Sequence, residues 1–260
     1  MPEPTFDLEE IQSWAREGGA LARRYFNTVP GRRKADRSVV TEADEAVERV
    51  VVARIAARYP QHGIVGEEQA RRSGDGEFVW TVDPLDGTAA FVAGLSFWGV
   101  SIGLLRDGAP YLGVLYLPLL DDCYWAGPSG GAFLNGRPIH VASPERWDDE
   151  DWLSVPSDSH RRYAIEFPGK TRSIGCTIAS LAYVARGSTL GALLAPSAIW
   201  DLAGGLAIVR AAGGVAVGLS GRPIELGALL QGGRTPEPLL VAAPDQVEAL
   251  RAVIRDKAAG

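Results

Sequence analysis

Hydrophobic positions recur at helical spacing in two stretches near the N-terminus. In the first, residues 8–26, apolar side chains lie three or four apart, and Asp7 stands where a helix N-cap belongs. In the second, residues 41–59, Thr41 is the predicted cap, and Asp44 three residues later completes a capping box. The pattern therefore predicts two amphipathic helices.

After Pro60 the pattern changes to short apolar runs bounded by turn residues, which predict strands. These runs cover residues 62–65, 78–82, 98–105, 111–117 and 123–126. The turn sequences Arg106-Asp107-Gly108 and Asn135-Gly136 predict hairpins, because Gly and Asn adopt positive φ at low cost. Most of the first half is thus expected to form an antiparallel sheet.

Beyond residue 141 predicted helices and strands alternate. Helices are expected over 176–186 and 199–212, and Pro244 opens a last one that reaches about residue 257; strands are expected over 190–194, 215–217 and 239–242. The fold class that follows is an α+β half, residues 1–140, joined to an α/β half, residues 141–260.

Composition narrows the function classes. The 260 residues carry a formal net charge of −6, which argues against a nucleic-acid partner. Cys123 and Cys176 match no metal or redox spacing, and the N-terminus shows no signal peptide, so reduced thiols in a cytoplasmic protein are expected. The uncharged stretch 87–105 holds four glycines, which favours a loop and a buried strand over a membrane span.

The sharpest chemical feature lies at residues 80–88, where an apolar strand runs into two carboxylates three residues apart. Asp83, Asp86 and the Leu85 carbonyl could converge on one hard cation, for which such oxygen donors select Mg²⁺ over Zn²⁺. The amides that follow, those of Gly87, Thr88 and Ala89, could face an anion. Taken alone, this motif is more typical of a capped turn, so its meaning depends on the rest of the chain.

Two further acidic features supply that context. Glu67 and Glu68 follow a predicted strand, and Asp201 stands at the head of a predicted helix. Alone, the first fits a solvated loop and the second a helix cap. In order and spacing, however, the set resembles the signatures of the inositol monophosphatase superfamily. The matching segments are Val40-Thr41-Glu42-Ala43-Asp44, Gly66-Glu67-Glu68, Asp83-Pro84-Leu85-Asp86-Gly87-Thr88, Gly131-Ala132-Phe133-Leu134-Asn135-Gly136 and Trp200-Asp201-Leu202-Ala203-Gly204-Gly205.

The resemblance implies a layered αβαβα sandwich, Mg²⁺-dependent hydrolysis of phosphomonoesters, sensitivity to lithium and a homodimer. It assigns one Mg²⁺ to Glu67, Asp83 and the Leu85 carbonyl, and a second to Asp83, Asp86 and Asp201. The resemblance also implies that Thr88, hydrogen-bonded to Asp44, orients the attacking water. It places Glu68 near that water or near a third Mg²⁺. It implies that the Gly87, Thr88 and Ala89 amides hold the phosphoryl oxygens.

The substrate stays open at this level. Inositol-specific members of the family carry a glutamate seven residues before the aspartate that matches Asp201, and here that position is Leu194. Leu194, Asp201 and the segment 173–177 are therefore expected to shape the substrate pocket. The alternatives are an inositol phosphate, histidinol phosphate, a 3′,5′-bisphosphate nucleotide or fructose 1,6-bisphosphate. A transcription-associated binding protein with secondary phosphatase activity is the alternative of another class.

Two segments that contain basic residues could bind a phosphate group. The connector between the first two helices, residues 30–38, is charged and without periodicity, and it is expected to be mobile. Its cluster Arg32-Arg33-Lys34 fits either solvated charges or a loop that closes over a phosphate. Gly169-Lys170-Thr171 does not make a nucleotide-binding loop, because Ala164 stands where the first glycine of that motif is required.

Overall fold

The computed structural model describes residues 5–34, 38–74 and 76–257, and its elements follow the predicted alternation closely. The helices are α1 Leu8–Tyr25, α2 Glu42–Arg58, α3 Thr88–Val92, α4 Ser159–Arg162, α5 Thr177–Ala185, α6 Ile199–Ala211 and α7 Val247–Ala252, with one 3₁₀ turn at Leu226–Gln231. The strands are β1 Arg32–Arg33, β2 Val39–Val40, β3 Gly63–Gly66, β4 Arg71–Arg72, β5 Phe78–Asp86, β6 Gly99–Arg106, β7 Ala109–Leu117, β8 Asp122–Ala126, β9 Ala132–Leu134, β10 Arg137–Ile139, β11 Trp152–Ser154, β12 Tyr163–Ile165, β13 Lys170–Arg172, β14 Gly191–Leu194, β15 Val215–Gly218, β16 Leu239–Ala242 and β17 Ile254–Asp256.

Both predicted N-terminal helices are present with their predicted caps. The Asp7 carboxylate accepts the N–H groups of Glu9 and Glu10 at 3.0 and 3.1 Å. Thr41 and Asp44 form the capping box of α2. The Asp107-Gly108 and Asn135-Gly136 turns adopt positive φ throughout and join β6 to β7 and β9 to β10, as predicted.

Two sheets carry the architecture. Within the described residues the larger has the order β10-β9-β8-β7-β6-β5-β3-β4, antiparallel apart from the parallel pair of β3 and β5. The smaller has the order β13-β11-β14-β16-β15, in which β11 is parallel to both of its neighbours. The division into residues 1–140 and 141–260 stays a prediction, because the central core draws side chains from both halves.

The layers stack in the predicted αβαβα order. Helices α1 and α2 cover one face of the large sheet, and α6 covers the other face across β5, β6 and β7. Helix α5 packs beside α6 and against the small sheet, whose far side carries α7. None of the described helices is long and apolar enough to cross a membrane. The segment 87–105 folds instead as the short helix α3, which was not predicted, followed by the expected loop and buried strand, β6.

One local prediction was wrong, and another stays a prediction. The connector, which is expected to be mobile, contains β1, and β1 pairs with β2 in an antiparallel ladder; its residues 35–37 lie outside the described part of the chain. The last helix ends at Ala252, and the chain continues as β17, which pairs with β12. That pairing satisfies the backbone of 254–256 in a sheet, and it overrides the local helical pattern.

Glycines let α6 lie directly on the large sheet. Gly103 of β6 and Gly113 of β7 are partners across the ladder, and both face Gly204 of α6. A Cβ added at Gly113 would lie 2.0 Å from the Gly204 carbonyl oxygen, and one added at Gly103 would lie 2.6 Å from the Gly204 nitrogen. Helix and sheet therefore meet backbone to backbone, which no other residue type permits.

We expect Gly113→Ala to lower the free energy of unfolding by about 3 kcal/mol, because the new methyl group must push α6 off the sheet. Urea unfolding followed by circular dichroism measures this. Gly130→Ala is the matched control, since its Cβ would meet nothing within 4 Å and only its positive φ is strained; its expected cost is about 1 kcal/mol. Equal costs for the two variants would contradict the close-contact account.

Candidate active site

Strand β5 delivers two aspartates to one edge of the large sheet. It pairs with β6 through Asp83 opposite Ser101 and then through Asp86 opposite Gly99, so β5 holds one extra residue in this stretch. Such a bulge turns successive side chains out of strict alternation, and Pro84 within it has no N–H to leave unpaired. Asp83 is 1% exposed and accepts the Leu85 N–H at 3.0 Å.

The segment after β3 places Glu67 beside them. Because β3 runs parallel to β5, the chain leaves both strands at the same edge, and the Glu67 N–H donates to the Val82 carbonyl at 3.1 Å. Glu48 of α2 holds the turn that follows. Its carboxylate accepts the N–H groups of Glu68, Gln69 and Ala70 at 2.8, 2.8 and 3.0 Å.

The second half of the chain contributes the starts of two helices. Asp201 is the third residue of α6, and its Oδ2 accepts the Ala198 N–H at 2.8 Å. At the start of α5, the Ile178 N–H and the Cys176 thiol both donate to Asp86 Oδ2, at 2.5 and 3.2 Å. Each of these carboxylates therefore has one oxygen fixed by a backbone N–H group.

These acids line a single cavity of about 490 Å³, here called the acidic cavity. Its walls hold Glu67, Asp83, Asp86 and Asp201 together with Arg33, Ser38, Val39, Leu85, Gly87, Thr88, Ala89, Gly175, Thr177, Trp200 and Arg234. The five predicted metal ligands and the three predicted phosphate-binding amides thus share one space. Among the described residues, no three acidic, histidine or cysteine side chains close into a ready-made cation cage.

Mutual repulsion and burial dominate the electrostatics of this cavity. Burial, reinforced by the charges of Glu67, Asp86 and Asp201, raises the pKa of Asp83 well above its ordinary value. Burial raises the pKa of Asp86 to about 6, although the Ile178 and Cys176 donors oppose it. Burial and the charge of Asp86 raise the pKa of Asp201 to about 7. A cluster with this much uncompensated negative charge favours a cation.

Thr88 and Asp44 meet at the floor of the cavity. Thr88 Oγ1 lies 3.0 Å from Asp44 Oδ1 and 2.9 Å from the Leu85 carbonyl oxygen, so its one proton serves either acceptor. Asp44 Oδ2 accepts both the N–H and the hydroxyl of Thr41 at 2.7 Å. Burial raises the pKa of Asp44 even against these donors. The predicted Thr88 to Asp44 contact is therefore present.

Glu68 is not among the residues that line the acidic cavity. Its carboxylate lies 2.6 Å from Lys34 Nζ, which also contacts Glu67 at 2.9 Å. Burial raises the pKa of Glu68 to about 7. The basic cluster of the connector is thus split, since Lys34 bridges two glutamates at the rim of the site while Arg32 pairs with Glu45 on the surface.

Leu194 lies in a neighbouring cavity of about 170 Å³, here called the side cavity. It adjoins the acidic cavity and shares Gly175, Thr177, Asp201 and Arg234 with it. The remaining walls are Val155, Pro156, Ser157, Cys176, Ser180, Leu193, Leu194, Ala195, Pro196 and Ser197. Residues 175–177 of the predicted pocket segment and Leu194 therefore border a space next to the acids.

Glu48 and Arg234 were not predicted at the site, and Cys176 was expected there only as part of the segment 173–177. Glu48 looks like any solvated helix glutamate in the sequence, and Cys176 matches no metal or redox spacing. Trp200 was quoted only as part of a motif, although it lines the cavity and the Arg71 guanidinium lies 5.2 Å from its ring centroid. Arg234 lies in a loop 33 residues beyond Asp201, and no local pattern marks it.

Comparison with known proteins agrees with this geometry. A sequence model of the inositol monophosphatase family matches residues 7–257. The chain is 30% identical over 240 residues to a fructose-1,6-bisphosphatase/inositol-1-monophosphatase of Aquifex aeolicus, covering 87% of this chain and 90% of that protein. It is 34% identical over 233 residues to a histidinol-phosphatase of Chlorobaculum parvum, covering 84% and 88%. The solved structure of the Thermotoga maritima IMPase is similar at a TM-score of 0.83 and 26% identity, covering 95% of both chains.

We expect Asp201→Asn to stabilise the chelated protein at pH 8.5 by about 2 kcal/mol and at pH 5 by less than half as much. The ordinary pKa of 3.8 applies to the unfolded chain and about 7 to the folded one. Between these values the folded chain binds a proton that the unfolded chain does not, so stability falls as the pH rises through the folded pKa. Asparagine removes this loss while keeping an oxygen for the Ala198 N–H.

Urea unfolding in EDTA at pH 5, 6, 7 and 8.5 measures the difference between variant and wild type. The control is Asp121→Asn, which changes an aspartate to asparagine outside the acidic cavity, where the side chain is 77% exposed. If the gain in the free energy of unfolding from Asp201→Asn does not depend on pH, or is larger at pH 5, the buried charge of Asp201 does not destabilise the fold.

Proposed function

The chain belongs to the inositol monophosphatase family, whose members hydrolyse phosphomonoesters, and we propose that it hydrolyses a small phosphate ester with Mg²⁺ in the acidic cavity. The observation that supports this most directly is the convergence of Glu67, Asp83, Asp86 and Asp201 on one cavity with the amides of 87–89. The family is generally dependent on Mg²⁺ and acts on small phosphate esters.

The donor chemistry fits Mg²⁺. Every proposed ligand is an oxygen, from carboxylates or from the Leu85 carbonyl, and hard oxygen donors suit this ion. We assign one ion to Glu67, Asp83 and the Leu85 carbonyl, and a second to Asp83, Asp86 and Asp201. Glu68, which Lys34 joins to Glu67, is assigned a place near the attacking water or at a third, weaker ion. When bound, such ions supply positive charge that stabilises the transferring phosphoryl group and activates water.

Thr88 is proposed to orient the attacking water. When its hydroxyl proton goes to Asp44 Oδ1, the lone pairs of Thr88 Oγ1 are left to accept a hydrogen bond. A water that donates to this oxygen presents its own lone pair toward phosphorus. Asp44 cannot turn away, because Thr41 binds its other oxygen twice. The pair therefore acts by fixing the direction of the water.

The start of α3 is proposed to hold the phosphoryl oxygens. The N–H groups of Thr88 and Ala89 have no intrahelical partner there, because they belong to the first turn. The N-cap, Gly87, has φ +83°, which turns the chain from β5 into this helix. The leaving group would then extend past Asp201 into the side cavity beside Leu194.

Four finer properties are proposals of the same kind. A homodimer and inhibition by lithium rest on the family resemblance. A cytoplasmic location is supported by two free, buried cysteines, Cys123 and Cys176. Lys34 at the rim of the cavity supports a role for the connector when phosphate binds.

We expect Asp83→Asn to lower phosphate release about 1000-fold, since this carboxylate is assigned to both ions and several kcal/mol of transition-state stabilisation depend on it. The assay measures phosphate release with Mg²⁺ from inositol 1-phosphate, histidinol phosphate, adenosine 3′,5′-bisphosphate and fructose 1,6-bisphosphate. EDTA should abolish the activity of the wild type, and Mg²⁺ should restore it.

Asp121→Asn serves again as the control and should retain full activity, because Asp121 lies on the surface with Arg16. Circular dichroism establishes that the Asp83 variant is folded. Hydrolysis by the wild type in EDTA, or by folded Asp83→Asn at the wild-type rate, would overturn the assignment. If the wild type hydrolyses none of the four esters, the proposed function is overturned.

A further inference from the structure

One cationic side chain stands where the two cavities meet. Arg234 lines both the acidic cavity and the side cavity, and its charge acts on Asp201. Because the acidic cavity holds the phosphoryl group in the proposed function, Arg234 lies beside the path along which the leaving group extends. It is therefore in position to contact the leaving group.

The backbone around Arg234 is built to hold it there. The Thr235 N–H donates to the Ser197 carbonyl at 2.9 Å, and the Ser197 N–H donates to Thr235 Oγ1 at 3.2 Å. Thr235 and Ser197 are only 3% and 4% exposed. The guanidinium itself donates to the Pro196 carbonyl at 3.3 Å. This reciprocal pairing ties Arg234 to the segment that leads into α6, so its position is linked to that of Asp201.

Apart from Asp201 and Arg234, the described walls of the side cavity carry no charged side chain. They are apolar side chains and hydroxyl groups, and among the described lining residues Asp201 is the one carboxylate. Leu194 occupies the position at which an acid could accept hydrogen bonds from ring hydroxyls. An ammonium group in this space would lie near the Arg234 guanidinium, which repels it, whereas a second anionic group would be attracted.

We infer that Arg234 selects phosphate monoesters whose leaving group carries a second anionic group, a carboxylate or another phosphate. This inference rests on the proposed function, because the acidic cavity must hold the scissile phosphate for the side cavity to hold the remainder. Arg234 is a specificity-determining residue in this account, since it contacts the leaving group. The planar guanidinium suits either anion, because both offer paired oxygens.

The test uses two pairs of esters that differ at one group. Glycerol 3-phosphate and 3-phosphoglycerate share a three-carbon skeleton, and the second carries a carboxylate in place of a hydroxymethyl group. Fructose 6-phosphate and fructose 1,6-bisphosphate differ by one phosphate. The wild type should favour the anionic member in kcat/KM by about tenfold or more, as expected for one charge-assisted contact, in at least one pair. The pair that shows this preference identifies the anion.

Arg234→Gln should lower that preference about tenfold, chiefly through the KM of the anionic ester, and Arg234→Lys should restore part of it. Arg137→Gln, which removes the same charge from the exposed strand β10, should leave the preference unchanged. If Arg234→Gln slows both members of a pair equally, Arg234 only balances the charge of Asp201 and the inference fails. Hydrolysis without preference in the wild type also overturns it while the proposed function stands. No hydrolysis of any ester would overturn the proposed function itself.

Discussion

The contact of α6 with the large sheet is the constraint on which the rest of the molecule depends. Gly103, Gly113 and Gly204 bring helix and sheet together backbone to backbone, with no side chain between them. Asp201 lies one turn before Gly204 on the same helix, and Asp83 lies on β5, the neighbour of β6. The contact thus fixes how near an acid from the second half of the chain can come to the acids of the first. Without it, the large sheet and the central helices would be separate layers with no shared site.

Given that contact, the fold gathers negatively charged side chains in a buried cavity, where burial disfavours the charged form of a carboxylate. Four carboxylates line one cavity, and burial together with their mutual repulsion raises the pKa of Asp83, Asp86 and Asp201. Burying several carboxylates together lowers the stability of a fold, and such clusters are typical of functional sites. An oxygen-lined, acidic cavity is suited to divalent cations. The surrounding bonds are consistent with this. Glu48 fixes the turn that carries Glu67, and Ile178 fixes one oxygen of Asp86, so each side chain is directed before any ligand arrives.

Local sequence patterns predicted the parts of this arrangement that are local in the structure. The capping box of α2, the turns at 107–108 and 135–136, and the run of β5 into Asp83 each depend on residues close together in the chain. The gathering of Glu67, Asp83 and Asp201 was expected only through resemblance, because no spacing rule relates residues that far apart. Glu48 and Arg234 escaped notice because their partners are defined by tertiary structure. The end of the last helix was missed for the same reason, since β17 exists only by pairing with β12.

The most direct test of the central claim is the anomalous diffraction of a crystal soaked in Mn²⁺, an ion with the same preference for oxygen ligands as Mg²⁺. We expect peaks inside the acidic cavity, with Asp83 contacting two ions and Asp201 contacting one of them. Each ion should be coordinated by oxygen alone. Peaks confined to the surface, or an ion in the cavity that leaves Asp83 and Asp201 without contact, would contradict the claim that the fold assembles these carboxylates to hold metal.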